Sequence, residues 1–83
     1  PDATSARAIV ERRLGKFKFA STVWPGIESV LEGLSQGELV RAADAVVKDA
    51  ILEGASKVSP DALRDALQNR QTLKGKFRRQ PGR

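Results

Sequence analysis

The segment between Ser35 and Gly54 places the strongest constraint on what this chain can fold into. Glu38 follows Ser35 at the spacing of a capping box, in which the two side chains satisfy backbone N–H groups at a helix start. From Gln36 to about Glu53 apolar residues recur at helical spacing, and Gly54 is a helix-ending residue. The pattern predicts a long amphipathic helix with a buried stripe of Leu39, Ala43, Val46, Val47, Ala50 and Ile51, widened by Ala42 and Ala45.

A second helix is predicted from about Thr4 to Leu14. Thr4 or Ser5 is expected to cap its start, and Gly15 to end it. Its apolar positions recur at helical spacing, as Ala6, Ile9, Val10 and Leu14. After Gly15, Phe17 and Phe19 are expected to anchor an extended connector on the core.

Two more helices complete the fold prediction. A short one is expected from Trp24 to Glu32, with Ser21 or Thr22 as its cap and an inner face of Val23, Ile27, Val30 and Leu31. The last follows Ser59-Pro60-Asp61, which combines a cap, a first-turn proline and an acid, and it ends near Arg70. Its inner face is predicted to be Leu63, Ala66 and Leu67. The sequence therefore predicts a compact all-α, four-helix domain over residues 1–70.

The net charge of +5 is concentrated at one end of the chain. Residues 1–70 contain ten basic and ten acidic residues, so they are neutral as a group. Residues 71–83 contain five basic residues, Lys74, Lys76, Arg78, Arg79 and Arg83, and no acid. Because this stretch has few apolar residues, we predict a mobile basic C-terminal tail rather than a part of the folded domain.

Composition excludes most self-contained enzymes. The 83 residues include no Cys and no His, so thiolate zinc sites, catalytic triads and HExxH helices are absent. The sequence also has no P-loop, and no cluster of acids at metal-ligand spacing. We expect no catalytic or metal-binding residues and no enzyme activity from this chain alone. No apolar stretch is long enough to span a membrane, and no signal peptide is evident, so a cytoplasmic location is expected. Since the chain begins at Pro1 instead of Met, we expect it to be a piece of a longer protein.

Several stretches resemble the C-terminal lid subdomain of AAA+ ATPases. The opening Pro1-Asp2-Ala3-Thr4 with Arg7 is similar to the entry into that subdomain. Gly33-Leu34-Ser35-Gln36-Gly37-Glu38-Leu39 resembles the Gly-Phe-Ser-Gly-Ala-Asp-Leu stretch of the AAA subgroup of unfoldases and membrane-bound proteases. Val58-Ser59 with the apolar residues after it looks like the start of the last family helix. The resemblance covers residues 1–70 and implies a lid-type helical bundle.

The resemblance also implies a function. A lid covers the ATP or ADP, with Mg²⁺, that a separate P-loop subdomain of the same chain binds, and it relays ATP-driven motion to a protein substrate. Neighbouring subunits would form a ring, usually a hexamer. The nucleotide-facing residues would lie in the sensor-2 region, at Gly33, Ser35, Gln36, Gly37 and Arg41. Gln36 departs from the motif glycine, and the isolated chain would bind nucleotide weakly or not at all.

Two other functions compete with the lid hypothesis. One is a small helical nucleic-acid-binding module that uses the basic tail, and it predicts salt-sensitive binding that disappears when residues 71–83 are removed. The other is a helical protein-interaction domain without nucleotide. The sequence upstream of Pro1 separates them, because only the lid hypothesis requires a P-loop and a Walker-B acidic pair there.

Overall fold

The computed structural model contains four α-helices joined by short connections. They are α1 (Ala3–Leu14), α2 (Glu28–Leu31), α3 (Gln36–Glu53) and α4 (Pro60–Arg79), and the 3₁₀ segments Gly15–Phe17 and Ser21–Gly26 precede α2. The structure describes residues 2–17 and 19–79, without the side chains of residues 21 and 71–79. No strand occurs within these ranges, so the prediction of an all-α chain with four helices is confirmed.

The start of α1 differs from the sequence prediction. The Ser5 N–H donates to the Asp2 carboxylate at 2.8 Å, so Asp2 is the cap and neither Thr4 nor Ser5 has that role. Three residues that can cap a helix, Asp2, Thr4 and Ser5, lie within four positions of this start, and propensity alone does not choose between them. At the other end, Gly15 stops the helix as predicted, with a φ of 56° that favours glycine.

The segment directly after α1 begins with a helical turn, whereas the sequence predicted an extended connector there. Gly15–Phe17 forms a 3₁₀ turn that brings Phe17 into the core, while Phe19 is half-buried. The single predicted helix from Trp24 to Glu32 is instead a 3₁₀ segment followed by the four-residue α2. Ala20 occupies the cap position of that 3₁₀ segment without a side-chain hydrogen bond, so the predicted cap at Ser21 or Thr22 is wrong.

The core lies where α3 packs against α1 on one side and α4 on the other, with α2 touching both α1 and α4. Its largest fully buried side chains are Val10, Leu14, Trp24, Leu31, Leu34, Leu39, Leu63 and Leu67. The predicted stripe of α3 is buried at Leu39, Ala43, Val46 and Ala50, and Val47 is partly buried. Ile51 is 61% exposed and Ala45 is exposed, which corrects their prediction as buried. The helices packed on α3 leave these two positions uncovered.

Helix α4 starts as predicted and ends later than predicted. The Asp61 N–H donates to the Ser59 hydroxyl at 3.2 Å, and the helix runs from Pro60 to Arg79 instead of ending near Arg70. Extending an existing helix is easier than starting one, and lysine and arginine are good helix formers that suit a helix C-terminus. The backbone of residues 71–79 continues this helix. The side chains of residues 71–79 and all of residues 80–83 lie outside the described residues. The predicted mobility of this segment therefore stays a prediction.

Candidate functional site

The first turn of α3 is held by a reciprocal pair of side-chain hydrogen bonds. The Glu38 N–H donates to the Ser35 hydroxyl at 3.2 Å, and the Ser35 N–H donates to the Glu38 carboxylate at 2.7 Å. Both bonds of the capping box predicted from the sequence are thus present. Because each partner fixes the other, the backbone of this turn is rigid although it lies at the surface.

Two glycines shape the approach to this turn. Gly33 has a φ of 79°, a left-handed conformation that a residue with a Cβ rarely adopts, and it turns the chain from α2 into α3. At Gly37 the space is open, since a Cβ there would meet only the Ser35 hydroxyl oxygen, at 3.9 Å. A ligand or another backbone can therefore approach the first turn of α3 closely.

The turn presents backbone donors to solvent. The N–H groups of Gln36 and Gly37 belong to the first turn, where an α-helix has no carbonyl to accept them, and both residues are exposed. The capping box occupies the N–H groups of Ser35 and Glu38 and leaves these two unused. Such donors, together with the positive end of the helix dipole, suit phosphate oxygens or ring nitrogens.

Three of the five predicted site residues, Ser35, Gln36 and Gly37, lie in the cap and first turn of α3, and Gly33 lies two residues before the cap. All four are exposed, while Leu34 between Gly33 and Ser35 is buried. Arg41 is also exposed and follows Gly37 by four residues, which places it about 6 Å further along the helix axis on the same side. Arg41 therefore adds a positive charge to the exposed surface about one turn after the start of α3.

An ion pair between two helices was not predicted from the sequence. Arg13 on α1 donates two hydrogen bonds to Asp44 on α3, from Nε to Oδ1 at 3.0 Å and from Nη2 to Oδ2 at 2.7 Å. The bonds from Arg13 lower the pKa of Asp44, and Asp44 raises the pKa of Arg13. The spacing within α3 would also suit a pair of Asp44 with Arg41 or Lys48. Neither of these residues forms an ion pair with another described residue.

Trp24 places an indole ring, together with its polar N–H group, in the core. The side chain is fully buried, and its Nε1–H has no hydrogen-bond partner among the described residues. The ring lies 5.8 Å from the Phe19 ring, and the Arg7 guanidinium carbon lies 5.3 Å from the indole centroid. A lone tryptophan in a small helical domain is predicted to be a packing residue, and the burial of Trp24 confirms this. The contact of the Arg7 guanidinium with its ring is not evident from the spacing of the residues.

The described part of the chain contains neither a cluster of metal-ligating side chains nor a membrane-spanning helix. No three acidic side chains there come together in a way that could hold a metal ion. None of its helices combines the length and the apolar character needed to cross a lipid bilayer. No protein family, curated protein or solved structure matches the chain. The first turn of α3 is therefore the candidate site on its geometry alone.

Proposed function

We propose that this chain is the lid subdomain of an AAA+ ATPase, and that the first turn of α3 faces the nucleotide. The observation that carries the proposal is the exposed pair of N–H groups at Gln36 and Gly37, beside the open space at Gly37. The capping box that holds this turn rigid supports it further.

The residues of the turn suit contacts with the nucleotide itself and not with its Mg²⁺ ion. They offer N–H donors and a helix N-terminus, which suit the phosphates or the base of ATP or ADP. They offer no free carboxylate for Mg²⁺, because the Glu38 carboxylate accepts the Ser35 N–H. In this proposal the metal and the catalytic groups belong to a P-loop subdomain of the same chain, and they supply the chemistry of hydrolysis.

The role of this chain would be to sense the nucleotide and to move. When nucleotide is bound, the rigid turn is held near it by hydrogen bonds, and release frees the helical domain to rotate as a unit. The domain moves as one body because α3 is packed against both α1 and α4. Neighbouring subunits of a ring, hexameric by the resemblance, would pass this motion to a protein substrate.

The first test uses the full-length protein. Its gene should encode a GxxxxGK[ST] and a Walker-B acidic pair before Pro1, and their absence would refute the proposal. In that protein Gly37→Leu fills the open space and should reduce ATPase kcat/KM by about tenfold or more, since one well-placed contact near the reacting groups has that magnitude.

A matched variant separates this effect from misfolding. Ala45→Leu places the same side chain at an exposed position about two turns further along α3 and should leave turnover unchanged. Circular dichroism should show that both variants keep their helices. Turnover at the wild-type level in Gly37→Leu would count against a nucleotide-facing role for this turn.

A further inference from the structure

Helix α4 changes in charge halfway along its length. Residues 60–69 include two acids and one base, whereas residues 70–79 include five bases and no acid. The core takes Leu63 and Leu67 from the first half of the helix. We call residues 70–79 the basic arm, because they continue the same helix beyond the residues that join it to the core.

The helical backbone sets the spacing of the charges in the basic arm. At a rise of about 1.5 Å per residue, the positions of the five bases from Arg70 to Arg79 follow one another about every 3.4 Å along the helix axis. The phosphates of one strand of B-DNA also follow one another about every 3.4 Å along the duplex axis. Arg70, Lys74 and Arg78 are four residues apart, so their positions share one row of the helix. The basic arm therefore has about the axial charge spacing of one DNA strand.

Nothing in the sequence of the basic arm balances this charge. Helical ion pairs form between residues three or four positions apart, and no base of the arm has an acid at that spacing. Residues 1–69 contain ten acids and nine bases, so the rest of the folded chain is nearly neutral. Lysine and arginine side chains are almost never fully buried without a charged partner. The charge of the arm therefore suits a polyanion from outside the chain.

The composition of the arm distinguishes between polyanions. A helix that lies on a membrane needs an apolar face, and the arm contains two large apolar residues, Leu73 and Phe77. Proteins that bind single strands stack the bases on aromatic rings, and Phe77 is the only aromatic residue of the arm. A DNA duplex requires neither feature, since its phosphates can be bound by charge alone and its major groove is wide enough for an α-helix. These comparisons favour double-stranded DNA.

We propose that the basic arm binds the phosphates of double-stranded DNA without selecting a sequence. Lysine and arginine displace counterions from the phosphates, and this release supplies free energy of binding. Sequence is read by side chains that reach the base edges, and binding by charge alone does not need them. The DNA would be held by the same helix that supplies Leu63 and Leu67 to the core, so it would follow any motion of the domain. The proposal does not rest on the proposed function, because the arm belongs to α4 and not to the first turn of α3.

The first test measures DNA binding by the full chain at several salt concentrations. Fluorescence anisotropy of a labelled duplex should give a dissociation constant on the order of 10 µM at about 0.1 M salt, and log K should fall against log salt with a slope of about −4. Lys74→Gln with Arg78→Gln removes two bases from one row of the arm and should make the slope shallower by about 2. Absence of binding, or an unchanged slope in this double variant, would overturn the proposal.

A matched variant separates the arm from general surface charge. Arg12→Gln with Lys48→Gln also removes one arginine and one lysine, from exposed positions of α1 and α3. It should change the slope by less than about 0.5, since these bases make no phosphate contact in the proposal. A change equal to that of the arm variant would mean that the whole surface binds DNA and that the assignment to the arm is wrong.

A second test asks whether the helical spacing of the charges matters. Gly75→Pro interrupts the helix in the middle of the arm without changing its charge, whereas Gly75→Ala favours the helix. The proline variant should bind the duplex at least about threefold more weakly than the alanine variant, because the interrupted helix loses the row of bases. Equal affinities would contradict the match between helix and strand on which the choice of DNA depends.

Competing polyanions test the choice of partner. Polyglutamate, a single-stranded DNA of the same length and vesicles that contain phosphatidylserine are compared with the duplex at one salt concentration. The duplex should bind most tightly of the four, since it has the highest charge density and the arm has neither an apolar face nor a stacking surface. If any of the other three binds as tightly or more tightly, the partner is not double-stranded DNA.

Discussion

Arg13 and Asp44 join α1 to α3 through two parallel hydrogen bonds, 31 residues apart in the chain. Both side chains are nearly half-exposed, at 47% and 46%, so solvent screens their attraction. The fork of the guanidinium nevertheless fixes the rotation of one helix relative to the other. Their role is therefore to orient α1 on α3 more than to stabilise the domain.

The pair should make stability depend on pH. The pKa of Asp44 is lowered in the folded chain, chiefly by the hydrogen bonds from Arg13. Its stabilisation is then fully present above the unfolded pKa of about 3.9, and is lost as pH falls through the lower folded pKa. Asp44→Asn should lower the Tm at neutral pH, and the difference from wild type should close as the pH falls below the lowered pKa of Asp44 in the folded chain. Thermal unfolding followed by circular dichroism measures it.

A control variant tests whether this effect belongs to the pair. Asp65→Asn removes an exposed carboxylate on α4 that has no ion pair with another described residue. It should change the Tm little at any pH. A difference between Asp44→Asn and wild type that persists undiminished in acid would contradict the assigned cause.

Two leucines of α3 should respond very differently to the same truncation. Leu39 is fully buried, so Leu39→Ala should lower the free energy of unfolding by about 2–5 kcal/mol through lost contacts and a cavity. Leu52 is 74% exposed, so Leu52→Ala should change the free energy of unfolding by less than about 0.5 kcal/mol. Urea unfolding measures both. Equal losses would mean that the last turn of α3 is covered in solution.

The capping box should contribute measurably to the stability of α3. Ser35→Ala removes the acceptor of the Glu38 N–H and should cost about 1 kcal/mol. Ser35→Asp keeps an oxygen acceptor at the same position and should cost much less. Urea unfolding of the two variants, with circular dichroism as the signal, makes the comparison. A Ser35→Ala variant as stable as Ser35→Asp would show that solvent replaces the hydroxyl without loss.

Gly33 and Gly37 should differ in their tolerance of alanine. At Gly33 the φ of 79° is unfavourable for a residue with a Cβ, so Gly33→Ala should cost about 1–2 kcal/mol. At Gly37 the helix has space for a methyl group, and Gly37→Ala should stabilise α3 by up to about 1 kcal/mol. Thermal unfolding decides the sign at each position. Destabilisation by Gly37→Ala would indicate a contact that the open space does not reveal.

The elements that the sequence predicts best are those whose start and end are marked by residues close together in the chain. The bounds of α3 and its capping box follow from residues three positions apart, and the start of α4 from Ser59 and Pro60 in direct succession. The predicted site residues form one surface turn for the same reason, since a helix start places neighbours in sequence next to each other in space. Whether that turn meets nucleotide stays a prediction.

The sequence predicted poorly what depends on packing. The Arg13–Asp44 pair joins residues from different helices, so no spacing within one helix reveals it. Ile51 fits the helical period of the buried stripe, yet it is exposed because the neighbouring helices do not cover that side of the last turn. The 3₁₀ segment Ser21–Gly26, which contains Pro25, and the short α2 after it stand where the sequence pattern predicted a single helix from Trp24 to Glu32.

The burial of Trp24 also makes the chain its own spectroscopic probe. It is the only tryptophan in the sequence, and its ring has no contact with solvent in the folded chain. Unfolding moves the indole into water, so its fluorescence emission should shift to longer wavelength from a single, assignable position. Because no second tryptophan dilutes that signal, the opening of the core around one ring can be timed directly, without a label, in every variant that keeps Trp24.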